Sequence, residues 1–163
     1  ILYRLVGSEM CIRDSPFDIR NDRIAILFVT SQQRGRWILP KGELQDKESH
    51  KQCCKREAFE EAGVHGKFLR NFPITASIGK ASGGSISHSA VTYYPLLVTE
   101  QSDSWPEDTK RQRHWALLDD AALVTDRDDL RQLIRQFESI QQWIKEDATH
   151  RKAKLTAALT PAQ

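Results

Sequence analysis

The chain has 163 residues, 39% of them hydrophobic and 28% charged, with a formal net charge of +2. That supports one domain with an adequate core, and no apolar run approaches the roughly 20 residues that a bilayer-spanning helix needs, so no membrane association is expected. The near-neutral charge also lacks the basic footprint of a nucleic-acid binder, which points to a small-molecule partner; it leaves the oligomeric state open.

Arg4 to Ser15 (RLVGSEMCIRDS) resembles the translation of a transposase sequencing adapter, so residues 1–15 are set apart from the fold as a non-native extension. The domain is then expected over 16–146, with a polar, Ala-rich tail over 147–163. Ile24 to Val29 (IAILFV) reads as a strand, and Trp37-Ile38-Leu39 as a second short strand entering the turn Pro40-Lys41-Gly42. Lys47 to Ala62 contains neither Gly nor Pro and ends at Gly63, the pattern of a helix with a glycine stop. Cys53 and Cys54 are neighbours on it and point in different directions, which argues against a disulfide or a shared zinc site. Two reduced thiols suit the cytoplasm.

After the helix, Lys67 to Ile78 reads as one or two strands, Gly79 to Ser85 as a flexible loop, and Ser87 to Thr99 as a longer strand. Trp115 to Leu118 is a short apolar segment, and Asp119 to Val124 a helical turn or two. Leu130, Leu133, Ile134, Phe137 and Ile144 mark an amphipathic helix from Asp128 to Lys145. The class is α/β, with a mixed sheet between helices.

The chemistry concentrates between Gly42 and Val64, GELQDKESHKQCCKREAFEEAGV. Glu57, Glu60 and Glu61 stand at i, i+3 and i+4, so three carboxylates share one helix face within a turn. Arg56, four before Glu60, can brace it, but one guanidinium does not neutralise three carboxylates. A hard divalent cation with oxygen ligands would, and Mg²⁺ binds through a few carboxylates while keeping water and phosphate oxygens as its other ligands. An isolated E-x-x-E-E is more often a solvated acidic face. Here Gly42, Glu48, Arg56 and Gly63 also fall into the pattern G-x5-E-x7-R-E-U-x-E-E-x-G-U, with Ala58 smaller than the usual aliphatic residue at U.

That pattern identifies the chain as resembling the Nudix hydrolases over roughly Phe17 to Lys145. Gly35 to Gly42 (GRWILPKG), Leu97 to Glu100 and Trp105 to Trp115 (WPEDTKRQRHW) are similar to the branch that cleaves diphosphoinositol polyphosphates and dinucleoside polyphosphates. The resemblance implies a Nudix α/β/α sandwich and a metal-dependent pyrophosphohydrolase using Mg²⁺ or Mn²⁺. It implies Glu57 and Glu61 as principal metal ligands with a main-chain oxygen of Lys41 or Gly42. Glu60 would activate water and touch the metal, Arg56 would position it, and Glu48 would support the loop. Arg34, Arg36, Lys41, Arg111 and Arg113 would bind a phosphorylated small molecule, and Trp37 or Tyr93 could stack a base. Two alternatives stand beside this: a silent Nudix-fold nucleotide-binding module, and an RNA 5′-pyrophosphohydrolase.

Overall fold

The computed structural model describes residues 11–160, so most of the adapter-like stretch lies outside it. A hairpin opens the fold. β1 (Cys11–Arg20) turns at Asn21 and Asp22, which have φ of 49° and 64°, and returns as β2 (Arg23–Thr30). Two successive positive-φ residues make the tight turn whose twist matches that of paired strands, and Asn and Asp tolerate this conformation better than most. β2 pairs on its other side with β7 (Arg113–Leu117), and its last residues, Val29 and Thr30, also pair with the short β3 (Trp37–Ile38).

The helix α1 (His50–Ala62) follows β3. It begins three residues later than predicted, because Ser49 and Gln52 form a reciprocal capping box and Lys47 has a positive φ of 60° that no helix continues. It ends at Gly63 as predicted, in the left-handed conformation. β4 (Val64–Phe68), β5 (Ile74–Ser82) and β6 (Ser85–Gln101) come next. The loop predicted at Gly79 to Ser85 is mostly strand: β5 and β6 run on until the chain reverses at Gly83 and Gly84, both at positive φ. β6 is long enough to pair with β5 along its first part and with β4 along its second.

Among the described residues the only parallel pairing joins β1 to β6, from Cys11↔Val91 to Phe17↔Leu97, which makes the sheet mixed, as expected. Residues alternate between faces along a strand. On β1, Ile12 meets α1, its carbonyl accepting from the Cys54 thiol, whereas Phe17 packs edge-on against Phe137 of a later helix. Helices therefore cover both faces, the α/β/α sandwich.

α2 (Leu118–Val124) is followed by α3 (Asp128–Ser139), whose Leu130, Leu133, Ile134 and Phe137 are all buried. Burial of each stabilises by about 1.5–3 kcal/mol. The single helix predicted over 128–145 is interrupted at Ile140, where φ −116° and ψ 12° break the ladder before α4 (Gln141–Leu159). The predicted tail from 147 is thus largely the second half of α4, anchored by Ile144 and Ala148. No described helix is long and apolar enough to cross a membrane.

The boundary expected after residue 15 falls inside β1. Asp14 and Ser15 are each 1% exposed, and Asp14 Oδ2 and Ser15 Oγ are the buried side-chain polar atoms without a hydrogen-bond partner among the described residues. Burial pushes the Asp14 carboxyl well above its ordinary range, and the nearby Glu61 and Glu57 push it further. Polar side chains here occupy positions that the sheet otherwise fills with apolar ones. Truncation before residue 16 would remove most of the β1–β6 parallel pairing and is expected to lower Tm. The double replacement Asp14→Ala, Ser15→Ala is instead expected to stabilise the fold by about 1–3 kcal/mol, the cost of burying unpaired polar groups. Denaturant unfolding measures this, and a loss of stability would show that the two side chains have partners.

Candidate active site

The last two turns of α1 carry the three glutamates, and two of them are buried: Glu57 is 9% exposed and Glu61 3%. The cluster is not a solvated acidic face, because α1 lies with Cys53, Cys54, Ala58 and Ala62 against the sheet and carries Glu57 and Glu61 inward with them. Glu60 remains half-buried.

Each carboxylate has a cationic or N–H partner. Arg56 Nη1 donates to Glu57 Oε1 at 2.5 Å and to Glu60 Oε2 at 3.1 Å. Its Nε and Nη2 grip Glu48 at 2.7 and 3.0 Å, and Nη2 also donates to the Glu43 carbonyl. Glu48 in turn accepts from the Gln45 amide, so it holds Arg56 and the loop together. Its hydrogen bond from Arg56 pulls its carboxyl down to about 2. On the far side, Arg111 Nη2 donates to Glu61 Oε1 at 3.0 Å, while its Nε bonds Glu107 and its Nη1 the Thr30 carbonyl. The Lys41 amide donates to Glu61 Oε2 at 3.2 Å. Burial nevertheless dominates for Glu61 and pushes its carboxyl up to about 8; Glu57 is raised for the same reason.

No three acidic, His or Cys side chains among the described residues converge as a metal cage. The donor set still suits a hard divalent cation. Gly42 lies so close to Glu57 that an added Cβ would sit 1.9 Å from Glu57 Oε1, so only glycine lets the Lys41–Gly42 main chain reach the carboxylates. The Lys41 amide and the Gly42 Cα thus lie directly against the Glu61 and Glu57 carboxylates.

Beside it opens a cleft of about 370 Å³, lined by Arg34, Arg36, Lys41, Arg111 and Arg127 together with the Ser31–Gln33 loop and Ile38. Four of the five predicted phosphate-binding residues meet here. Lys41, partly desolvated and near Arg13, Arg127 and Lys80, is held below the ordinary ammonium range. Arg36 is tied to Asp126 and Arg127 to Asp129. The fifth residue, Arg113, is absent from the cleft: its guanidinium stacks 4.0 Å from the Trp105 ring centre and donates to the Ala62 and Ser102 carbonyls. Arg127 was not legible as a site residue, since it lies just before a helix with no nearby motif. Trp37 packs against His114, and Tyr93 is buried with its hydroxyl accepting from Arg13; neither lines the cleft.

A NUDIX domain model matches residues 17–137. The chain is 33% identical over 142 residues to Nudix hydrolase 21, chloroplastic, of Arabidopsis thaliana, covering 83% of this chain and 69% of that protein. It is 31% identical over 117 residues to diphosphoinositol polyphosphate phosphohydrolase 3-beta of Bos taurus, covering 71% and 65%. Among solved structures, the binary complex of a C. elegans Ap4A hydrolase superposes with a TM-score of 0.64 at 20% identity, covering 80% of this chain and 96% of that one. The chain belongs to the Nudix hydrolase family. Members of that family use divalent metal ions and bind small phosphorylated substrates.

The buried glutamates make metal-free stability pH-dependent. A carboxylate raised in the folded state favours folding while protonated, so its contribution is full below about 4.5 and lost as pH rises through about 8. Asp14 and Glu57 act in the same direction. In chelator, Tm is therefore expected to fall between pH 5 and 9. Glu61→Gln, made in an Asp14→Ala background, should flatten that fall, by on the order of 1–2 kcal/mol at the alkaline end. An unchanged slope would show that Glu61 titrates normally.

Proposed function

We propose that this chain is a divalent-metal-dependent pyrophosphohydrolase, using Mg²⁺ or Mn²⁺, that cleaves a phosphoanhydride in a dinucleoside polyphosphate or inositol pyrophosphate. The observation that carries this is the meeting of a cationic cleft with a buried carboxylate cluster through two shared residues, Lys41 and Arg111. Anionic phosphates suit the cleft, and the carboxylates provide for cations and a proton.

A bound divalent cation would neutralise charge on the phosphoryl oxygens. Glu57 and Glu61, with a main-chain oxygen of Lys41 or Gly42, would hold it. Glu60 is the least buried of the three, with a side chain 38% exposed, and Arg56 both holds and steadies it. It takes the proton of a water whose oxygen bonds to phosphorus as the bridging P–O bond breaks and the second phosphate departs as an anion. Arg34, Arg36, Lys41 and Arg127 orient the phosphate chain, and Arg111 links it to Glu61. Cys53 and Cys54 are both free, in keeping with a reducing compartment such as the cytoplasm.

The experiment is turnover of diadenosine polyphosphates, nucleoside triphosphates, nucleotide sugars and an inositol pyrophosphate with Mg²⁺, with products resolved chromatographically. Selective cleavage of a dinucleoside or inositol substrate is expected. Glu57→Gln should lose several kcal/mol of transition-state stabilisation, on the order of 1,000-fold in rate, while keeping a cooperative melt. Tight nucleotide binding without cleavage would favour the silent module instead.

A further inference from the structure

A helix leaves its last carbonyls without intrahelical partners. In α1 those carbonyls belong to the turn that carries the acidic cluster, and the helix places no basic residue of its own there. Partners arrive from the segment Ser102–Arg113, forty to fifty residues later. The Glu107 amide donates to the Glu60 carbonyl at 3.1 Å, Trp105 Nε1 to the Glu61 carbonyl at 3.1 Å, and Arg113 Nη1 to the Ala62 carbonyl at 2.9 Å. The Ser102 amide completes the set on Gly63 at 2.8 Å.

These contacts form one object. The Arg113 guanidinium lies over the Trp105 indole, 4.0 Å from the ring centre, and its Nη1 also donates to the Ser102 carbonyl. The stack presses on Gly63, where a Cβ would meet both Arg113 Nη1 and Trp105 Cβ at 2.9 Å. Arg113 supplies the positive charge that the negative end of the helix favours. The same segment reaches the side chain of Glu61, because Glu107 holds Arg111 and Arg111 holds the carboxylate. Glu61 is thus gripped at its main chain by Trp105 and at its side chain by Arg111.

We infer that Trp105 and Arg113 are positioning residues: their stacked clasp on the end of α1 sets the aim of Glu60 and Glu61, and so the affinity for the divalent cation, without touching substrate. The inference rests on the reading of those glutamates as cation-binding. Groups that orient metal ligands are worth about 10–100-fold in metal affinity or activity when removed, because a carboxylate misplaced by an ångström no longer meets the cation as it should. Trp105 acts through a carbonyl whose own side chain is the ligand, so the coupling passes through a single residue.

The test compares wild type with Trp105→Phe, which keeps an aromatic face for Arg113 but removes the indole N–H, and with Arg113→Lys, which keeps a donor but loses the planar stack. Ile134→Val, in the buried face of α3, is the control for lost stability alone. Mn²⁺ binding is read by electron paramagnetic resonance on substrate-free protein, beside Tm, kcat and KM. Trp105→Phe is expected to weaken Mn²⁺ binding about tenfold and lower kcat similarly, with KM within about twofold. Arg113→Lys should fall between it and wild type, and Ile134→Val should lower Tm with Mn²⁺ affinity unchanged. Wild-type Mn²⁺ affinity in both clasp variants, or an equal loss in Ile134→Val, overturns the inference. Should Trp105→Phe fail to fold, Arg113→Lys carries the comparison. A wild type that binds Mn²⁺, loses that affinity in the clasp variants and hydrolyses nothing would sink the hydrolase reading while leaving the clasp standing. A wild type that binds no Mn²⁺ overturns both.

Discussion

Three carboxylates within one helical turn, two of them withdrawn from water, are the constraint around which the rest of this molecule is arranged. Like charges at i, i+3 and i+4 repel, and burial adds a desolvation cost to each. The chain answers from three directions. Arg56, braced by Glu48, takes Glu57 and Glu60 from the start of the turn. Arg111, braced by Glu107, takes Glu61 from the opposite side. The Lys41 amide closes from the loop. These partners hold the cluster together without satisfying it, which is why Glu61 stays high despite an arginine 3.0 Å away. Such a site retains a demand for more positive charge, the condition under which a divalent cation binds.

The fold supplies what this arrangement requires. Ser49 and Gln52 close the N-terminal end of α1, and the clasp closes the other, so the turn bearing the glutamates cannot fray. Cys54, Ala58 and Ala62 seat the helix on the sheet with small side chains, and this close seating is what carries Glu57 and Glu61 below the surface. A larger aliphatic residue at 58 would make the same contact from further out. The smaller residue thus goes with the depth of the carboxylates.

Legibility from sequence followed the range of the interactions. At α1 the glycine stop, the shared face of Glu57, Glu60 and Glu61, and the reach of Arg56 to Glu60 were readable from helical pattern alone, whereas its start, set by the Ser49–Gln52 capping box, was placed three residues early. Strand positions were readable from apolar runs, but the β5–β6 hairpin was longer than its Gly- and Ser-rich sequence implied, because backbone pairing does not need apolar side chains at an exposed tip. The break at Ile140 left no mark in the periodicity, for Ile144 continues the same apolar stripe across it. Arg113 was placed with the phosphate-binding residues because it sits two positions from Arg111. On a strand those two neighbours of the same parity can still part company at its edge: Arg111 precedes β7 and turns into the cleft, whereas Arg113 opens β7 and meets the end of α1. Trp105 meets the Glu61 carbonyl 44 residues away and Arg127 the Gly79 carbonyl 48 residues away, contacts for which a single sequence carries no signal.

On the proposed reading, the charges that line the cleft bear on which phosphates would bind there. Arg36, Arg111 and Arg127 line it, yet each is already held by a carboxylate: Asp126, Glu61 with Glu107, and Asp129. Arg34 and Lys41 line it with no ion pair among the described residues. A ligand with one phosphate can engage the unpaired cations but gains little more, since each further arginine must be drawn from a partner of equal charge. A chain of phosphates presents several charges at once and can share an arginine with its carboxylate, since a guanidinium has five N–H donors. The exposed Arg36–Asp126 pair is the weakest of these and the first to be redistributed. On the proposed reading, the prior pairing of these cations would favour ligands that carry several phosphates.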